Sequence, residues 1–164
     1  MKYLKIHLQI FALLLALFSV ACDNDSADGP SVPPLDQTTI WSGPTVTFEK
    51  AANADPALEE NQDRITNDVW LTRGNEGGQI YNAVTETSAD KDDSPEGTLW
   101  AVGTTANLQN LDFKKFRTTL EKPRENIGID LVLLLVDENI AIDIKITKWS
   151  QNMQGGFAIE RSSN

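Results

Sequence analysis

Cysteine and histidine are almost absent from this chain, which has one of each, Cys22 and His7. A single cysteine cannot close a disulfide within the chain, so burial must hold the core together. A zinc site built from several histidine and cysteine ligands is excluded as well. A Ser-His-Asp or Cys-His catalytic arrangement would depend entirely on His7.

A hydrophobic run long enough to span a bilayer is also missing. The longest apolar stretch, 8–20, has about 13 residues, whereas a transmembrane helix needs roughly 20. It follows two lysines and ends in Ser-Val-Ala directly before Cys22, which is the pattern of a secretory signal peptide. These last residues resemble a bacterial lipobox, which implies cleavage before Cys22 and a diacylglycerol on its sulfur. The alternative is ordinary cleavage that leaves Cys22 as a free thiol.

Lipidation of Cys22 would make the lipid bilayer a partner and the cell envelope the location of the protein. We expect the outer membrane, with the periplasmic or surface face left open. Cleavage also removes His7, so the mature chain has neither histidine nor unmodified thiol. Asp and Glu are then the main groups left for acid–base catalysis.

Positive charge is scarce. The chain has 14 Lys and Arg against 24 Asp and Glu, a net charge of −10, and loss of Lys2 and Lys5 makes it about −12. Nucleic-acid binding depends on Lys and Arg that displace counterions from phosphates. We therefore expect no nucleic acid among the partners.

The chain divides into three parts. Residues 1–21 are the predicted lipoprotein signal peptide. Residues 22–39 hold the lipidated cysteine and a tether rich in Asp, Ser and Pro, which has too little apolar surface to fold. Residues 40–164 are predicted to form one globular domain, which is long enough for a single core.

Short β-favouring segments separated by turn residues recur within 40–164. A glycine-rich turn at 73–78 between two of them predicts a hairpin. Segment 131–136 is apolar at every position, which predicts a strand covered on both faces. One helix is predicted between 107 and 121. The predicted strands are 45–49, 69–72, 79–84, 98–102, 131–136, 140–149 and 157–161.

These elements predict an all-β fold, a single antiparallel β-sandwich-like domain with one short helix. Within 140–149 three isoleucines alternate with Asp143, Lys145 and Thr147. Strict alternation places Trp149 on the face of Asp143 and Lys145. A ring beside charged groups can bind a polar ligand, so Trp149, Asp143, Lys145 and Arg73 are the candidate ligand-binding residues.

Each candidate also has a structural interpretation. Asp143 and Lys145 could instead form an ion pair that bridges to another element, with Arg73 or Arg161 as partner. Trp149 could close the end of a sheet. The acidic loop 90–97 suggests calcium, but Pro95 stands where the EF-hand loop has its glycine. We predict no metal ligands and no cofactor, and leave calcium at this loop open.

Three blocks carry a resemblance to a known family: NQDRITNDVWLTRGNEGGQIYNAVTE (61–86), SPEGTLWAVGTT (94–105) and IAIDIKITKWSQNMQGGFAIERSS (140–163). Their order and spacing resemble a small β-rich domain of secreted and lipid-anchored proteins of Bacteroidetes-type bacteria. Ala141, Ile146 and Ile159 stand where that pattern has bulkier aromatic residues. The family is functionally uncharacterised, so the resemblance implies a secreted β-rich domain and no catalytic residues.

Together these features favour a membrane-anchored, extracytoplasmic lipoprotein. Its domain is expected to be a non-catalytic binding module for a glycan, a peptide or an envelope protein. The alternatives are an Asp/Glu-based hydrolase and a structural or accessory subunit of an envelope complex. No catalytic residue is predicted.

Overall fold

The structure is a computed structural model that describes residues 30–164. Cys22, the predicted signal peptide and the first part of the predicted tether lie outside the described residues. Within them the chain forms nine strands and one short α-helix, α1 (Phe116–Leu120). The strands are β1 (Thr39–Trp41), β2 (Thr45–Lys50), β3 (Asp63–Arg64), β4 (Trp70–Arg73), β5 (Ile80–Asn82), β6 (Thr98–Val102), β7 (Leu131–Leu135), β8 (Ile140–Trp149) and β9 (Phe157–Ser162).

Six of these strands form a large sheet in the order β2-β9-β8-β7-β6, with β1 on β8. The long strand β8 organises this sheet. Its first half pairs with β7 in antiparallel fashion and with β1 in parallel, from Thr39 opposite Ile140 to Trp41 opposite Ile142. On the edge that β1 occupies, β9 becomes the neighbour from Ile144 onward, whereas β7 pairs with the other edge as far as Ile144. The neighbour of β8 therefore changes at Asp143.

A small antiparallel sheet, β3-β4-β5, packs on one face of the large sheet. The hairpin predicted around 73–78 is confirmed by the pairing of β4 with β5. Apolar residues of both sheets and of α1 form one inner cluster. Its members include Leu71, Ile80, Trp100, Phe116, Leu120, Leu133, Ile142, Ile144, Ile146 and Phe157. The all-β, sandwich-like fold predicted from the sequence is confirmed.

The opposite face of the large sheet is covered over only part of its width. Leu99, Ala101, Val132, Leu134 and Ala141 meet Leu108 and Phe113 there in an outer cluster. Because β7 sends alternate residues into the two clusters, all five of its residues are fully buried. The prediction of a strand covered on both faces is confirmed.

The predicted helix over 107–121 is much shorter in the structure. A 3-10 segment, Thr105–Asn110, comes first, and α1 follows after the backbone of Lys114 has paired with Trp100. Leu108 turns toward the outer cluster, whereas Leu120 enters the inner one. The apolar residues of this segment are therefore spaced to pack on the two faces of the large sheet, and they do not belong to one continuous helix.

The packed part of the chain begins before residue 40. A 3-10 turn, Leu35–Gln37, precedes β1, and Leu35 packs against the outer cluster. The Thr39 amide also donates to the Asn139 carbonyl at 2.9 Å. The last residues of the predicted tether are thus attached to the domain.

Candidate functional site

The change of neighbour along β8 opens a cavity in the large sheet. It has a volume of about 390 Å³ and lies where β1, β8 and β9 meet. Most of its lining is polar, and it includes both Asp143 and Lys145. The other residues that line it include Trp41, Thr45, Thr104, Asp130, Glu160, Arg161 and Ser162.

Asp143 is held in one orientation at this cavity. Its Oδ1 accepts the Thr105 amide at 2.7 Å, and its Oδ2 accepts the Thr105 hydroxyl at 2.8 Å. Hydrogen bonds to a charged acceptor are stronger than neutral ones. Asp143 therefore fixes the start of the 3-10 segment against the sheet and keeps its carboxylate at the cavity wall.

Lys145 lies two residues further along the same face. Its Nζ is 3.0 Å from Asp130 Oδ1, and it stands opposite Glu160 in the pairing of β8 with β9. Asp143 and Lys145 are thus neighbours at one cavity, but their partners are Thr105 and Asp130. Neither pairs with Arg73 or Arg161, which were the partners expected from the sequence.

Ser162 presents a buried hydroxyl at this cavity. Its Oγ is buried and has no hydrogen-bond partner among the residues that the structure describes. A buried hydroxyl without a partner is costly, since it loses water without gaining a replacement. Because the Oγ is inaccessible in this structure, a ligand in the cavity can supply that partner only after the side chain rotates.

The structure places Trp149 on the other face of the sheet. A β-bulge between Ile146 and Lys148 leaves Thr147 without a partner and shifts the alternation by one residue. Trp149 therefore packs with Phe116 and Phe157, at ring-centroid distances of 6.3 and 6.4 Å. The prediction that Trp149 shares a face with Asp143 is wrong, because strict alternation does not allow for a bulge.

Arg73 lies beside Trp149 between the two sheets. It is 4% exposed, and its guanidinium carbon is 4.0 Å from the Trp149 ring centroid. Its Nη1 donates to the carbonyls of Ser150 and Gly156, both at 3.0 Å, and its Nε donates to Gly78. Burial lowers the pKa of Arg73 to about 10, so it is charged at neutral pH. Arg73 thus ties β4 to the loop before β9, away from the cavity.

A second cavity, of about 460 Å³, lies beside the acidic loop 90–97. Gln79 is 1% exposed, and its amide donates to the carbonyls of Asp90 and Asp93, which turns these carbonyls inward. Burial raises the pKa of Glu86, which also lines the cavity. Within residues 30–164, no group of three or more His, Cys, Asp or Glu side chains is placed to hold a metal ion.

Comparison with protein-family models, with curated proteins and with solved structures gives no match for this chain. In the part of the chain that the structure describes, no helix is long and apolar enough to cross a membrane.

Sequence reasoning missed several residues of the first cavity. Glu160 could have been found, because alternation along β9 puts it opposite Lys145 once the pairing is known. Thr105 and Asp130 lie in connecting segments that show no periodicity. Only the fold brings them to β8.

Proposed function

We propose that this protein is a lipid-anchored, extracytoplasmic binding module of the cell envelope. Its ligand is a neutral glycan, held in the cavity between β1, β8 and β9. The observation that carries this proposal is the composition of that cavity. It combines the fixed carboxylate of Asp143, the cation of Lys145 and the exposed carboxylate of Glu160 in one polar recess, beside the buried Ser162 hydroxyl.

Sugar hydroxyls both donate and accept hydrogen bonds, so they suit a site that offers both kinds of group. Asp143 and Glu160 supply acceptors, Lys145 supplies donors and Ser162 can do either. Acidic side chains outnumber basic ones in the lining, which disfavours an anionic ligand. Trp41 adds apolar surface at the same cavity, as sites for small polar ligands commonly have.

The hydrolase alternative receives less support from this geometry. A glycosidase needs one carboxylic acid that donates a proton and a second carboxylate across the scissile bond. Both oxygens of Asp143 accept hydrogen bonds from Thr105, so this carboxylate already holds the 3-10 segment in place. Binding without chemistry is the simpler function for this site.

Titration calorimetry and thermal shift on the full chain, purified in detergent, test this proposal. The probes are neutral oligosaccharides of glucose, xylose, mannose and N-acetylglucosamine. We expect one class to bind, and expect Glu160→Gln or Ser162→Ala to weaken it by about tenfold, the cost of one lost hydrogen bond.

Glu49→Gln is the matched control, because Glu49 is an exposed residue of the same large sheet that pairs with Lys148 outside the cavity. It should leave the affinity unchanged. Absence of binding by all four classes would contradict the proposal. Equal affinity in the control and in both cavity variants would contradict it too.

A further inference from the structure

Lys50, at the end of β2, is a buried amine that has no carboxylate in hydrogen-bonding contact within residues 30–164. It is 1% exposed, and its Nζ donates to Asn75 Oδ1 at 3.1 Å and to the Gly155 carbonyl at 3.2 Å. Burial lowers the pKa of Lys50, and the nearby charge of Arg73 lowers it further, whereas Asp55 and Glu76 oppose part of this shift. A desolvated lysine gives up its proton more readily, and the neutral amine is a nucleophile.

Asn75 presents its carboxamide to that amine from the β4–β5 turn. Its Nδ2 donates to the Ala54 carbonyl at 3.0 Å, which fixes the plane of the amide. On the other side Gly155, with φ +65°, lies so close that a Cβ there would collide with Asn75 Oδ1. The Asn75 Cγ lies one carbonyl bond, about 1.2 Å, from the oxygen that Lys50 contacts. Since Nζ is 3.1 Å from Oδ1, Nζ and Cγ are at most about 4.3 Å apart, within about 1 Å of the near-attack distance of about 3–3.5 Å.

We propose that Lys50 and Asn75 form an intramolecular isopeptide bond. The neutral Nζ of Lys50 attacks Cγ of Asn75, so an Nζ–Cγ bond forms and the Cγ–Nδ2 bond breaks. Nδ2 leaves as ammonia and takes up the proton that Nζ gives up. Nothing is oxidised or reduced, and no other reactant is needed.

Two carboxylates are the candidates for carrying that proton. Asp55 and Glu76 both act electrostatically on Lys50 and on Tyr81. Glu76 folds back over Gly74, where a Cβ would lie 2.6 Å from Glu76 Oε2. Among the described residues neither carboxylate hydrogen-bonds to Nζ, so a bridging water or a side-chain rotation would have to connect it to the amine before it acts as a general base.

The bond would join the large sheet to the small one. Lys50 ends β2, whereas Asn75 belongs to the turn that follows β4. The single cysteine of the chain cannot supply a disulfide between the sheets. An isopeptide bond gives an envelope protein a covalent link that does not depend on thiols.

Tryptic mapping of the full chain, purified from the envelope and denatured before digestion, tests the bond. Trypsin cannot cleave after a Lys50 whose amine is acylated. We expect peptide 51–64 to be missing and a branched species to appear, in which the peptide that contains Lys50 and ends at Arg64 is joined to 74–91. Its mass should be about 17 Da below the sum of its parts, the mass of the lost ammonia.

Lys50→Arg keeps a cation but cannot form the bond, and Asn75→Ala removes the carboxamide, so both should lose the branched species. Lys148→Arg is the matched control and should retain it, since Lys148 is exposed and pairs with Glu49. Recovery of free 51–64 as the main product from the wild-type chain would overturn the proposal. A mass deficit that persists in Lys50→Arg would overturn it as well, because succinimide formation at an asparagine also releases ammonia.

Discussion

Asp63 and Arg161 form a buried ion pair between the two sheets. Arg161 Nε is 2.7 Å from Asp63 Oδ2, and its Nη2 is 2.8 Å from Oδ1. The Arg161 side chain is 8% exposed and the Asp63 side chain is 6% exposed. Such a bidentate pair is directional, so it fixes β3 over β9 in one position. At the scale of single residues, this ion pair and the apolar contacts together set the position of the small sheet on the large one.

We predict that Asp63→Ala destabilises the fold by about 3–5 kcal/mol, because it leaves the Arg161 charge buried without a partner. Urea denaturation of the full chain measures this change. The control is Glu59→Ala, which breaks the exposed contact with Arg64 and should cost less than about 1 kcal/mol. Equal midpoints for the two variants would show that the Asp63 pair is not buried in solution.

At the scale of elements, the bulge in β8 determines which face of the large sheet its last side chains occupy. Before it, Asp143 and Lys145 face the cavity, and after it Trp149 faces the small sheet. One residue without a partner thus lets a single strand line the cavity and also hold Arg73 between the sheets. Bulges are used in this way to redirect side chains near sites.

Trp149→Ala should therefore destabilise the fold and leave glycan affinity unchanged. The loss of a partly buried ring among Phe116, Phe157 and Arg73 should cost about 3 kcal/mol. Denaturation and calorimetry on the same preparation separate the two effects. Lys148→Ala, one residue earlier and exposed, should change neither by much. A Trp149 variant of normal stability that no longer binds sugar would place the ring at the ligand instead.

At the scale of the whole molecule, a compact β domain follows a short segment after the predicted lipid site. A single acyl chain holds a protein only marginally at a membrane, whereas two or three chains hold it firmly. The predicted anchor would keep the cavity within a tether's length of the bilayer. Such a tether would raise the local concentration of the domain near ligands at the membrane, so that even a weak affinity would give substantial binding.

Cys22→Ser should release the protein from the membrane fraction. Incorporation of an alkyne-labelled fatty acid and partition into a Triton X-114 phase measure this in cells that express the full chain. The wild-type chain should be labelled and partition with detergent, whereas the variant should not. Labelling that survives in Cys22→Ser would contradict lipidation at this residue.

Much of the sheet could be predicted from the sequence because its signals are local. Alternation along β8, the apolar run of β7 and the glycine-rich turn before β5 each depend on a few neighbouring residues. The prediction of one helix over 107–121 was wrong, because apolar spacing does not reveal which face of the large sheet each residue packs against. The strand β1, of three residues, has too little pattern of its own to be found.

The sequence by itself determined the class of fold, the shortage of thiol and imidazole chemistry, and the position of Asp143 and Lys145 on one face of a strand. Only the tertiary structure decided what stands beside them. The bulge at Thr147 moved Trp149 to the other face, and the tertiary fold brought Thr105 to Asp143 and placed Asp130 and Ser162 at the cavity. Alternation is a property of neighbouring residues, whereas a cavity depends on contacts between residues far apart in the chain.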